Sequence, residues 1–448
     1  MTLIIDGAAV STVDSAGTEH PTGHVVIADG RIQSVASGRA PKGLDGEYVD
    51  GTGCLLTPGL VNTHHHLYQW ATRGYAQNSI LFDWLTELYP IWAGLDADIV
   101  HTAATAGLTR LAQTGCTTAA DHHYVFPSGG GDVFGALIGA GERVGIRLHA
   151  VRGSMDRGAA EGGLPPDNLV EKTDAALAGT ADAIAKYHDP SPDAMVRVAV
   201  GPCSPFSVSA ELMRGAAEIA REMGVRMHTH LAETVEEEQQ CRAEFGCTPA
   251  EYAERLGWLG DDTWLAHGIH LSDVAVQRLA ATGTGVAHCP NSNSRLGAGT
   301  ARVRDLTTAG APVGLGVDGA ASQEDGGLVH ELRQALYLAR QRGGPYAMTV
   351  RDVLRLGTMG GARCLGREKE IGSIEPGKLA DLALWRLDGF EHAGMTDPVA
   401  AMVLGPVPPL ALLLVGGEPV VTDGKVRGMD EHALAVELRT ASQQLAAR

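Results

Sequence analysis

Two histidines at alternate positions, His64 and His66, close an apolar run that begins at Leu55. In an extended strand, residues two apart share a face, so both imidazoles project together while His65 turns away. Two imidazoles converging at a strand end make half of a metal site. Comparable positions elsewhere carry the remainder. His230, His267 and Asp318 each close another apolar, β-branched run, and Glu233 follows His230 by three. Three imidazoles and one carboxylate suit a catalytic divalent metal with a position left for water. Taken singly, each residue has an ordinary role: His230 as a hydrogen-bonded core histidine, Glu233 as a helix N-terminal carboxylate, His267 as a partner to other ligands. Their joint place at strand ends is what points to chemistry.

The elements that would position them repeat through the chain. Between about Leu56 and Gly366, apolar strands end in polar residues and each leads into an Ala/Leu/Glu/Arg-rich stretch. The strands end at His64 to His66, Thr117 to His123, Arg147 to Arg152, Val198 to Cys203, Arg226 to His230, Thr263 to His267, Gly285 to His288 and Val313 to Asp318. Leu212 to Met223 and Asp273 to Ala281 carry apolar residues at helical spacing. Eight strand–helix units predict an α/β fold, a (β/α)8 TIM barrel, whose chemistry sits at the C-terminal strand ends. A doubly wound sheet is the rival, disfavoured because no Gly-x-Gly-x-x-Gly turn follows the first strand. Both ends of the chain are β-rich, with Ala28-Asp29-Gly30 a hairpin turn signal. The expected organisation is a barrel over residues 57–366 and a small β-sandwich domain assembled from residues 1–56 and 367–448.

The net charge of −18 argues against a nucleic-acid polymer as partner, because no basic field is present to displace counterions. A small-molecule heterocyclic substrate is the expectation instead. Seven scattered cysteines without a Cys-x-x-Cys pair imply reduced thiols and a cytoplasmic setting. The N-terminus lacks the basic region and apolar core of a signal peptide. The most apolar late stretch, 398–417, is broken by Gly405, Pro406, Pro408 and Pro409, so no membrane span is expected.

The motifs resemble those of the amidohydrolase superfamily. They are Pro58-Gly59-Leu60-Val61-Asn62-Thr63-His64-His65-His66, His228-Thr229-His230-Leu231-Ala232-Glu233, Leu265-Ala266-His267, His288-Cys289-Pro290, Gly316-Val317-Asp318-Gly319 and Glu375-Pro376-Gly377-Lys378-Leu379-Ala380-Asp381. The resemblance implies His64, His66, His230 and Asp318 as metal ligands. Binuclear relatives bridge their metals with a lysine at the fourth strand, and Arg197 to Pro205 contains none. One divalent ion is therefore expected, zinc first and iron as the alternative. The implied mechanism has a bound water ionising near neutral pH. Asp318 takes the proton, Glu233 protonates the neighbouring ring nitrogen, and His267 holds the attacking oxygen. The resemblance also implies a homo-oligomer.

Within that superfamily the chain looks like the heterocycle deaminases, and in pattern most like the 8-oxoguanine deaminases. The carrying residues are His65-His66-Leu67-Tyr68-Gln69, Leu81-Phe82-Asp83-Trp84-Leu85, Arg152-Gly153-Ser154-Met155, Gly162 to Asp167, and Gly201 to Val208. This implies conversion of 8-oxoguanine to uric acid and ammonia. Triazine hydrolases share several of these residues, which keeps a triazine or pterin amino- or chlorohydrolase as the alternative. Tyr68, Trp70, Tyr75, Phe82, Trp84, Tyr89 and Trp92 place seven aromatics after the first strand, an aromatic lid for a flat ring. Gln69, Trp92, Arg152 and Cys203 are the expected substrate contacts. The chain departs from the pattern at Arg73 to Ala76 and at Ala320 to Asp325, and it carries adjacent His122 and His123 after the second strand. Those two point to opposite faces, so at most one enters the site and the other should meet solvent.

Overall fold

The structure, a computed structural model, describes residues 2–448. Eight parallel strands close into a barrel: β1 (Leu60–Asn62), β2 (Cys116–His123), β3 (Arg147–Ser154), β4 (Val196–Pro202), β5 (Met227–Leu231), β6 (Thr263–His267), β7 (Gly285–His288) and β8 (Val313–Leu315). Pairing of Leu315 with Asn62 closes the ring. β2, β3 and β5 are buried along their whole length. Their residues meet barrel interior on one side and helices on the other, so they read as continuous runs rather than alternating ones. The helices end where the sequence signals stop. Ala210–Met223 starts at Ser209, whose Oγ accepts the Leu212 N–H, and stops at Gly224 in the left-handed region. Asp273–Thr282 is bounded in the same way by Ser272 and Gly283.

Both termini build the small β domain, a nine-stranded mixed sheet. Thr2–Ser11, Glu19–Ala28 and Arg31–Ser37 come from one end, Leu382–Arg386, Leu410–Val415 and Glu418–Thr422 from the other, and Cys54–Pro58 lies between them. The hairpin at Asp29-Gly30 has positive φ at both residues, as a two-residue turn matched to strand twist requires. Leu3, Ile5, Val25, Ile27, Leu56, Leu382 and Leu414 form its core. A buried fork joins it to the barrel: Arg147 Nε and Nη2 donate to Asp381 at 2.8 and 3.0 Å. The chain crosses from sheet to barrel at Gly59, where a Cβ would stand 2.3 Å from the Thr117 side chain.

The first strand differs from its sequence reading. β1 ends at Asn62, and the chain resumes a separate short pairing in which His65 and His66 face Asp318 and Gly319. Thr63 N–H donates to Leu315 O, and Asp318 N–H to His64 O, so the extensions of β1 and β8 zip together above the barrel. The eighth strand likewise stops at Leu315 rather than Asp318. Among the described residues, no helix is long and apolar enough to cross a membrane. All seven cysteines are free and buried.

Candidate metal centre and acid–base site

Hydrogen bonds to backbone carbonyls fix the tautomers of the central histidines. A carbonyl only accepts, so each ring nitrogen that meets one carries the proton. His66 Nδ1–H donates to His122 O, and His230 Nδ1–H to Cys203 O, both at 2.7 Å. His228 Nδ1–H donates to Trp264 O at 2.8 Å, so its Nε2 accepts from His64 Nδ1–H at 2.7 Å. The result is a lone pair on Nε2 of His64, His66 and His230. His66 Nε2 and His230 Nε2 lie 3.1 Å apart. Asp318 Oδ1 is 3.3 Å from His66 Nε2 and 3.4 Å from His64 Nε2. His64 Nε2 is buried with no hydrogen-bond partner. Burial pushes His64 and His230 well below the ordinary imidazole range, so no added proton relieves this crowding. Four electron pairs converging in a dry site repel one another unless a cation sits between them. Three neutral imidazoles and one carboxylate are a donor set for a divalent metal, and the carbonyls behind them supply the orienting bonds such ligands need. His64, His267 and Asp318 also offer donor atoms within 4.8 Å of one another, as do His64, His122 and His230.

Two groups stand beside this cluster. His267 Nδ1–H donates to Asn293 Oδ1 at 3.0 Å, which leaves Nε2 facing Glu233 Oε2 at 3.5 Å and Asp318 Oδ2 at 4.0 Å. Burial, with the charges of Asp318 and Glu237 nearby, holds the Glu233 carboxyl well above its usual range. Burial lowers His267 below its own. Burial thus favours the protonated acid at Glu233 and the neutral imidazole at His267. Ser292 Oγ–H donates to Asp318 Oδ2 at 2.6 Å and fixes the carboxylate plane.

A cavity of ≈ 370 Å³ opens onto these atoms, lined by His66, His230, Glu233, His267 and Asp318 on its floor. Leu81, Trp84, Leu85 and Tyr89, all on the helix Leu81–Trp92, cover it with Phe206 and Leu296. Gln69, Tyr124, Cys203, Ser204 and Ser322 supply the polar wall, and no lysine or arginine lines it. Of the expected substrate contacts, Gln69 and Cys203 face the cavity. Gln69 Nε2 is buried without a partner and is a free amide donor. Burial pushes the Cys203 thiol up to about 12, so it stays neutral.

Trp92 and Arg152 are corrections. Trp92 lies behind the lid, its Nε1–H donating to Thr72 Oγ1 and its ring packed edge-on against Tyr68 and Trp84. Arg152 pairs with Glu171 at 2.8 Å and stacks over Phe126. The pairing of His122 and His123 is also corrected, since both are buried. His122 Nε2–H donates to Gly201 O and His123 Nε2–H to Val125 O. The sequence reading missed His228, although it stands two residues from His230 on the same strand face, a second His-x-His. Ser292 and Asn293 carry no periodic signal that would have found them.

Residues 55–425 match the sequence model of the Amidohydrolase family. The chain is 45% identical to an 8-oxoguanine deaminase of Pseudomonas aeruginosa over 428 residues, 95% of each chain. It is 36% identical to an isoxanthopterin deaminase of an unknown prokaryotic organism, covering 99% of this chain and 97% of the other. The solved structure of a zinc-complexed atrazine chlorohydrolase from Arthrobacter aurescens superposes with a TM-score of 0.93 at 31% identity, over 98% of this chain and 100% of that one.

Proposed function

The chain belongs to the amidohydrolase family and is a hydrolase of C–N bonds in heterocycles; from that premise we propose that it deaminates 8-oxoguanine to uric acid and ammonia. The observation that carries the reading is the convergence of buried Glu233, whose carboxyl burial holds above its usual range, with His66, His230, His267 and Asp318 on one cavity floor. Deamination of an aromatic amidine needs a proton on the ring nitrogen as water adds to the neighbouring carbon, and both requirements meet there. The substrate itself is drawn from the deaminase relative and from the cavity. An aromatic-roofed space that holds the Asp318 carboxylate and no cationic side chain suits a neutral free base better than a phosphorylated nucleotide.

His64, His66, His230 and Asp318 would hold one divalent ion, zinc in this reading, as in the chlorohydrolase neighbour. When bound, it supplies Lewis acidity and a water that ionises near neutral pH. Glu233 gives its carboxyl proton to the ring nitrogen, while Asp318 accepts a proton from the attacking water. His267 Nε2 accepts that water's other O–H and orients it. Asp318 then passes its proton to the exocyclic nitrogen, the C–N bond breaks, and ammonia leaves. The last hydroxyl proton returns to Glu233 as the carbonyl forms. One water is consumed, and the ring keeps an N–H beside its new carbonyl. Gln69, whose Nε2 has no partner, would read a ring carbonyl.

The test is ammonia release by zinc-loaded protein across purines, pterins, pyrimidines and triazines, with urate appearance followed in the ultraviolet. Turnover of 8-oxoguanine to urate is expected. Reaction of triazines alone, with purines and pterins intact, overturns the assignment. The fold shared with the atrazine chlorohydrolase makes displacement from a triazine the second reading.

A further inference from the structure

We propose that Glu237 is a positioning residue for the acid–base pair, its carboxylate clamping the turn that carries Glu233 and joins it to the end of β6. The proposal rests on the reading of Glu233 as proton donor. Both carboxylate oxygens of Glu237 are spent on that one turn. Ala232 N–H donates to Oε1 at 2.9 Å, and Glu233 N–H to Oε2 at 2.8 Å. Glu237 sits in the first turn of the helix Val235–Phe245, where its own N–H donates to Thr234 Oγ1. Its neighbours Glu236 and Glu238 are partly exposed, whereas Glu237 is 1% exposed. A buried carboxyl group is costly unless its oxygens are hydrogen-bonded, and both oxygens of Glu237 accept from backbone N–H groups.

The turn so held reaches both catalytic groups. Ala232 has φ +54, a backbone state that needs outside support in a residue with a Cβ. Its carbonyl accepts from Ile269 N–H and His270 N–H, both at 2.9 Å, and Leu231 O accepts from Gly268 N–H. His267, at φ +72, is thereby tied to the same turn as Glu233. Glu237 fixes the N–H side of this knot, and residues 268–270, just after β6, fix the carbonyl side. The 3.5 Å approach of Glu233 Oε2 to His267 Nε2 follows from the two together.

The experiment is a double-mutant cycle with Glu237→Gln and Glu233→Gln, read as kcat, KM, bound zinc and melting temperature. Glutamine keeps one acceptor and turns an NH₂ group toward the second N–H. Misplacing a catalytic group by about 1 Å costs on the order of 100-fold. Glu237→Gln should therefore lower kcat by about 10–100-fold, with KM and zinc content unchanged. In the Glu233→Gln background the same substitution should lower the residual kcat by much less, because only His267 remains to be aimed. A wild-type kcat in Glu237→Gln, or an equal fall in both backgrounds, overturns the clamp. If Glu233→Gln alone turns over normally, the parent reading has failed and the clamp has nothing to position. If Glu237→Gln does not fold, Glu237→Asp, one methylene short of spanning both N–H groups, enters the same cycle with the same expected outcomes.

Discussion

Replacing His228 by phenylalanine tests the tautomer argument on which the metal centre stands. Phe keeps an aromatic face against Trp264, where the rings now lie 4.4 Å apart at 19°, and removes both nitrogens. His64 Nδ1–H then loses its acceptor and Trp264 O its donor, at a position with no solvent exposure to replace either. The His64 proton is free to move to Nε2, the edge that faces Asp318. A divalent ion must displace it before His64 can bind. Loss of an orienting partner of this kind typically weakens a metal site by about 10–100-fold. That corresponds to about 1.4–2.7 kcal/mol at about 1.36 kcal/mol per tenfold. The metal-free protein should also lose about 1–3 kcal/mol for each polar group left without a partner. Competition for zinc against a chromophoric chelator reads the first quantity, and denaturant unfolding of the metal-free chain reads the second. A folded His228→Phe protein with wild-type zinc affinity would show that His228 does not set the His64 tautomer.

Glu233→Gln should still bind a divalent metal and lose about 10²–10⁴-fold in turnover, since an amide cannot deliver the proton; near-normal turnover removes Glu233 from the mechanism. Because the active form of Glu233 is protonated and its pKa is raised, kcat/KM should hold through the range where an ordinary carboxylate has already ionised. It should fall only as pH passes the raised value, and a pH profile that falls from pH 4 to 5 upward contradicts this. Arg147→Met leaves Asp381 buried and unpaired, and should cost about 3–5 kcal/mol in an unfolding titration; a loss below about 1 kcal/mol would mean the fork does not join the two domains energetically. Attaching ribose 5′-phosphate to the base should abolish turnover, because the cavity offers no cationic side chain to a phosphate; comparable kcat/KM for base and nucleotide would refute that.

What was legible in the sequence followed from period and position. Alternate histidines, strand-end carboxylates and apolar residues at helical spacing have short-range causes, so His64, His66, His230, Glu233, His267 and Asp318 were readable and the structure brings them together. The reason given for His64 and His66 was incomplete. Their convergence depends on pairing with the segment after β8, more than 250 residues away, which no local pattern encodes. Trp92 and Arg152 failed for the same reason. Whether an aromatic on the lid helix faces the cavity or its own backing depends on Thr72 and Tyr68, and Arg152 answers to Glu171 and Phe126. His123 is buried rather than solvated because Tyr68 and the following loop close over it, and the alternation rule says nothing of what covers a face.

One physical circumstance, exclusion of water, drives the two halves of the site in opposite directions. It disfavours a second proton on His64 and His230, because a buried imidazolium is costly, and it favours one on Glu233, because a buried carboxylate is costly too. Acceptors and donor are thereby separated within a few ångströms at the same pH, the arrangement that lets one site run base and acid chemistry together. The backbone carbonyls of His122, Cys203 and Trp264 then decide which edge of each ring is bare. Charge balance in so dry a place leaves a cation as the missing term, and the same dryness makes the Glu233 proton available only to a ring nitrogen brought against it.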